Sequence, residues 1–175
     1  MIQSYEDVVS LVSVGYLKHS CLGPDDEIFK VLKGLDNLSG TCVEIGTYKG
    51  ISASILTQYF DFVYTFDIKH SPETEFIWRQ LGVRKKIIYI VCSSREGILQ
   101  YLKRTREVFS FGFIDAYHDY SNAKADFLML RDVDVPRVLF HDVQNPGINL
   151  FLQEIEARIL SKNLAIWEEN ERSFK

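Results

Sequence analysis

From Thr41 onward the chain alternates short runs that are apolar along most of their length with amphipathic stretches of helix length. The runs are Thr41–Ile45, Phe62–Asp67, Ile87–Cys92, Ser110–Asp115 and Arg137–Asp142. Between them lie Ser52–Tyr59, Glu73–Leu81, Glu96–Arg106 and Asn122–Leu130, helical candidates by their periodicity. A strand that is apolar on both faces must be covered on both, and a helix between two such strands is the connection a parallel pair requires. The pattern predicts an α/β fold: a Rossmann-like, doubly wound, mostly parallel sheet with right-handed crossovers. After the fifth strand, Ile148–Leu160 reads as a further helix and Leu164–Trp167 as the start of one last short strand.

Two helices precede this core. Tyr5–Lys18 carries Val8, Val9, Leu11, Val12 and Leu17 as an apolar stripe. Asp25–Leu35 opens with acidic residues, which suit a helix N-terminus, and sets Ile28, Val31, Leu32 and Leu35 on one face. At 175 residues, 46% of them hydrophobic, the chain is expected to be a single domain over 1–175, with N-terminal helices in 1–35 and the sheet and its helices in 41–168.

Composition removes several classes of function. A formal net charge of −4 argues against a partner that is nucleic acid, whose binding relies on clustered Lys and Arg; the one dense basic stretch, Arg84–Lys86, reads as a solvated turn. Cys21, Cys42 and Cys92 lack metal-site spacing and suit a reducing compartment. Met1–Val14 has no basic residue ahead of its short apolar stretch, so it does not read as a secretory signal, and no apolar run approaches the ~20 residues that span a bilayer. A cytoplasmic protein with no membrane partner is the expectation.

In open sheets of this kind ligands sit at the carboxyl ends of the strands. The first strand runs into Val43-Glu44-Ile45-Gly46-Thr47-Tyr48-Lys49-Gly50-Ile51-Ser52, a glycine turn opening a helix, and Asp67 closes the second strand 21 positions after Gly46. That spacing serves any ligand held by an adenosine ribose, whether a dinucleotide or S-adenosylmethionine (SAM). Tyr48 stands where a pyrophosphate-binding loop has its middle glycine, and a charged Glu44 would repel a pyrophosphate but attract the ammonium or sulfonium of SAM. SAM is therefore favoured over NAD. A valine at Gly46 is expected to fill space the ligand needs while leaving the fold intact.

At these residues the chain resembles the class I SAM-dependent methyltransferases. Glu44 to Ser52 looks like their methyltransferase-24 branch, which is similar to small-molecule O-methyltransferases, and the resemblance spans about Leu35–Ile155. It implies that Gly46 and Gly50 shape the methionine pocket, that Glu44 supports the amino group through the loop, and that Asp67 holds the ribose hydroxyls. Thr47, Tyr48, Ser52, Ile68 and Asp115 complete the cofactor contacts so implied. The third strand departs from the family, which commonly has an acid after it to read the adenine amine. Here Cys92-Ser93-Ser94-Arg95 follows, and Ser93 or Ser94 can either contact the ring or cap the next helix.

The fourth strand delivers Asp115-Ala116-Tyr117-His118-Asp119-Tyr120 and the fifth His141-Asp142. Asp-x-x-His-x-Tyr and His-Asp are the patterns the resembling family carries at these two places. A neutral hydroxyl attacks a sulfonium methyl slowly unless a base takes its proton or a cation lowers its pKa. His118 or His141 can be that base. Asp115 and Asp142, with His141 or water completing the shell, can hold Mg2+ or Mn2+. Tyr117 and Tyr120 are expected to be wall residues, and His19 and His70 structural. The resemblance thus implies methylation of a small hydroxylated metabolite, of sugar or natural-product type. Two alternatives stay open: a nucleotide-dependent oxidoreductase, and a noncatalytic SAM-fold interaction protein. With only 15 residues after Leu160, the C-terminal strand region is expected to be shortened, leaving the fifth strand's edge to a homodimer or to a short strand docked directly on it.

Overall fold

A computed structural model describes residues 27–169. The helix expected at Tyr5–Lys18 lies outside the described residues, as do His19, Cys21 and the first residues of the second helix. That second helix is present as α1 (Ile28–Gly34), with Ile28 and Leu32 buried.

Seven strands form one sheet in the order β3-β2-β1-β4-β5-β7-β6. The five apolar runs become β1 (Thr41–Ile45), β2 (Phe62–Asp67), β3 (Ile87–Val91), β4 (Phe109–Ile114) and β5 (Arg137–Phe140), all parallel to one another. The connecting helices are α2 (Ile51–Leu56), α3 (Pro72–Gln80), α4 (Arg95–Thr105) and α5 (Tyr120–Arg131). Central β1 is buried along its whole length, its one charged residue, Glu44, included.

Alternate strand residues supply two cores, one per face. Cys42, Val63, Phe111 and Leu139 pack with α1, α2 and α3, whose Trp78 is fully buried. Val43, Phe66, Val138 and Phe140 pack with α4, α5 and a sixth helix, α6 (Pro146–Glu154). None of the helices among the described residues is long and apolar enough to cross a membrane.

The C-terminal third differs from expectation. The helix read over Ile148–Leu160 starts at Pro146, because Asn145 caps it by accepting from Gly147 N–H at 3.0 Å, and it ends at Glu154. Glu156 then takes φ +53, a left-handed turn that reverses the chain. Arg158–Ile159 forms β6 instead of a last helical turn, and pairs antiparallel with β7 (Ala165–Glu168). The strand–turn–strand thus begins before Leu160, which is how so short a tail accommodates it. Of the two arrangements expected at the fifth strand, the docked strand is the one found: β7 lies antiparallel on β5, with Val138 opposite Trp167 and Leu139 opposite Ile166.

The strand order reverses at β1, with β2 and β3 to one side of it and β4 and β5 to the other. A crevice opens there at the carboxyl ends of the strands.

Candidate active site

The β1–α2 loop closes over this crevice. Gly46 has φ +102, and a Cβ on it would stand 2.1 Å from the carbonyl oxygen of Asp115. Glycine is required because the loop crosses directly against the end of β4; the expectation that a valine here would merely fill ligand space is corrected, since it would first displace β4. Gly50 has φ +74 at the N-terminus of α2, and its carbonyl accepts a 2.8 Å hydrogen bond from the Trp78 indole N–H. It is packed against that ring and does not line the cavity.

Glu44, Thr47 and Ser52 lie behind the loop, all buried. Thr47 and Thr65 share a 2.6 Å hydrogen bond, and the Thr65 hydroxyl donates to Glu44 Oε2. Complete burial pushes the Glu44 carboxyl up to about 8, helped by the negative charges of Asp115 and Asp67 and opposed by the Ser52 and Thr65 hydroxyls. The charge expected on Glu44 is therefore largely withheld near neutral pH, because burial desolvates it and no cation among the described residues offsets that cost. Its contribution is to hold the loop's underside.

A cavity of about 320 Å3 occupies the crevice. Gly46, Tyr48, Asp67, Ile68, Ser93, Ser94, Asp115 and His118, all anticipated from the sequence, line it. Asp67 Oδ2 accepts the Tyr48 N–H at 2.7 Å and Oδ1 accepts the Lys69 N–H at 3.2 Å, so the backbone fixes its carboxylate at the mouth of β2. Ser94 caps α4, its hydroxyl oxygen accepting from Gly97 N–H at 3.1 Å, while Ser93 is exposed.

At the far end the β4 and β5 termini converge. Asp115 N–H donates to Ile45 O, and His141 N–H to Ile114 O, which locks the two strand ends in register. His141 is buried, its Nδ1 3.3 Å from a carboxylate oxygen of both Asp115 and Asp142. His118 is 42% exposed in its side chain, with Nδ1 3.1 Å from Asp142 Oδ2. The two histidines are thereby sorted: His118 lines the cavity, whereas His141 sits behind the carboxylates and braces them. Hydrogen bonding and charge from His141, with His118 and Gln144 adding to them, hold the Asp142 carboxyl below the ordinary aspartate range. Asp142 also has φ +55, turning its side chain back toward His118.

Asp115, His118 and Asp142 offer ligand atoms within 4.8 Å of one another, the spacing of a cation site. The sequence had joined His141 to the two aspartates; in the fold His118 is the histidine that completes this set.

Sequence reasoning missed Arg95 and Asp126, which line the cavity from α4 and α5. Arg95 Nε donates to Asp126 Oδ1 at 2.5 Å and Nη2 to Asn122 Oδ1 at 2.6 Å. The available signal was an acid at position 126 inside the apolar face formed by Ala123, Phe127 and Leu130.

A family model described as a methyltransferase domain matches residues 43–143. Among solved structures, the chain is similar to an O-methyltransferase from Bacillus cereus in complex with SAH, at 19% identity and TM-score 0.70, covering 94% of this chain and 90% of that one. It is similar to an rRNA methylase from Streptococcus thermophilus at 15% identity and TM-score 0.60, covering 86% and 100%. The MycE methyltransferase of mycinamycin biosynthesis, in complex with Mg, SAH and mycinamycin VI, matches at 14% identity and TM-score 0.55, covering 80% and 47%. At these identities the likeness is one of fold. No curated protein matches the chain by sequence.

Proposed function

Since the chain belongs to the methyltransferase-domain family, we propose that it moves the methyl group of SAM onto a hydroxyl of a small metabolite, of sugar or natural-product type. The observation that carries the reading is a single cavity bounded at one side by Asp67 and at the other by Asp115 and His118. A ribose held at β2 then leaves a sulfonium to face the acid–histidine cluster.

SAM supplies an electrophilic methyl whose departure leaves its electron pair on sulfur. The protein's own share is to orient the acceptor and take its proton. Asp142 holds His118 at Nδ1, which makes Nε2 the basic nitrogen presented to the acceptor hydroxyl. Asp115 stays fixed between the β1 loop and His141, and Ile45 and Phe66 give the cavity an apolar wall.

The donor set also fits Mg2+ or Mn2+, which oxygen-rich sites prefer. In that alternative Asp115, His118 and Asp142 would hold the ion, with His118 a ligand and not the base, and the ion would acidify a coordinated hydroxyl. We place the protein in the cytoplasm, with no nucleic-acid partner given the net charge of −4. Because β7 already covers β5, a homodimer would pair elsewhere.

The test is calorimetric titration with SAH followed by mass-spectrometric screening of hydroxylated acceptors. Micromolar SAH binding with turnover lost in His118→Ala supports the reading; SAH binding with no methylated hydroxyl product across the screen counts against it.

A further inference from the structure

The cavity's third corner, where β3 meets α4, contains polar groups that methyl transfer does not use. If the cofactor reading above holds, Asp67 fixes the ribose and the cluster at Asp115 and His118 fixes the sulfur. The purine must then extend the other way, toward Cys92, Ser93 and Ile98. A purine needs apolar contact on its faces, which Ile68 and Ile98 offer, and an acceptor for its exocyclic amine at its edge.

The end of β3 supplies no carboxylate. Ser94 Oγ is occupied in capping α4, and Arg95 has donors alone. Asp126 is different: it comes from α5, is 2% exposed, and lines the cavity. Among the described residues, Arg95 is the side chain that hydrogen-bonds it, and does so at Oδ1. Oδ2 is left to a further donor.

We propose that Asp126 accepts the exocyclic amine of the cofactor's adenine, positioned for it by Arg95, so that a residue from α5 performs the recognition that the end of β3 does not. Desolvation raises the Asp126 carboxyl above its ordinary range despite Arg95. A second donor is therefore favourable there in a way it is not at an exposed aspartate. Asp126 would also reject a purine carrying a carbonyl at that edge, because two acceptors would face each other.

The experiment compares SAH with its deaminated analogue, S-inosylhomocysteine, by calorimetry. Wild-type protein is expected to bind SAH at least about tenfold more tightly, the discrimination typical of a charged hydrogen bond lost. Asp126→Asn, whose amide can accept or donate, is expected to bring the ratio within about threefold. Asp67→Asn should weaken both ligands alike and preserve the ratio. Equal binding of the two ligands by wild type overturns the assignment, and so does an Asp126→Asn protein in which both affinities fall in parallel, the mark of a merely structural contact between α4 and α5. Wild type that binds neither ligand instead refutes the cofactor reading on which the assignment rests.

Discussion

Replacing Glu44 with glutamine removes a buried acid that the fold holds far above the ordinary carboxylate range. The carboxyl stands at about 8 in the folded protein against an ordinary value of 4.5, with desolvation as the leading cause. A group raised on folding gives its full stability below the unfolded value and loses it as pH climbs to the folded one. Stability should thus fall from about pH 4.5 to about pH 8 at roughly 1.4 kcal/mol per unit from this group alone, then level off. At pH 7 the accumulated cost is about 3 kcal/mol. In Glu44→Gln the amide oxygen still accepts from Thr65, and whatever its NH2 costs in burial is independent of pH. The quantity to read is therefore the difference between variant and wild type in urea-unfolding free energy, followed by the fluorescence of buried Trp78 from pH 5.5 to 8.5. It should favour the variant increasingly with pH, by about 1.4 kcal/mol per unit until it flattens near pH 8. A difference that stays constant with pH would refute the claim that Glu44 is held neutral behind the loop.

Three further outcomes are expected. Gly46→Ala should destabilise by more than about 2 kcal/mol in the same urea assay, because its Cβ meets the Asp115 carbonyl at 2.1 Å and the residue must keep φ +102. Trp78→Phe should cost about 1–2 kcal/mol, having removed the donor to Gly50 O, and loosen the start of α2, visible as faster amide exchange there. Asp142→Asn should leave SAH affinity within about twofold but lower turnover by about 10- to 100-fold, since the partner orienting His118 loses its charge; treatment with a chelator before assay reports separately on the cation that Asp115, His118 and Asp142 are arranged to hold.

The parallel strands were legible because the central ones, β1, β4 and β5, are buried on both faces, and all five read as mostly apolar runs without help from context. The Arg158–Ile159 strand was not, since both residues are exposed and their pairing is decided by a left-handed turn at Glu156 and by β7 further along. At the site, Asp67, Asp115, His118 and Asp142 sit in short motifs at strand ends, where position in the sequence already implies position in the crevice. Sorting His118 from His141 needed depth within the sheet, which no local pattern encodes. The same holds for Glu44, whose neutrality comes from total burial, with the charges of Asp115 and Asp67 adding to it. It holds again for Arg95 and Asp126, partners 31 residues apart on two different helices.

A crystal structure of the protein with SAH tests the central claim most directly, because it locates ribose, sulfur and base at once. The ribose hydroxyls are expected on Asp67, the sulfur facing Asp115 and His118, and the adenine edge against Asp126. SAH bound outside this cavity, or bound within it with its sulfur turned away from the Asp115–His118–Asp142 cluster, would contradict the account.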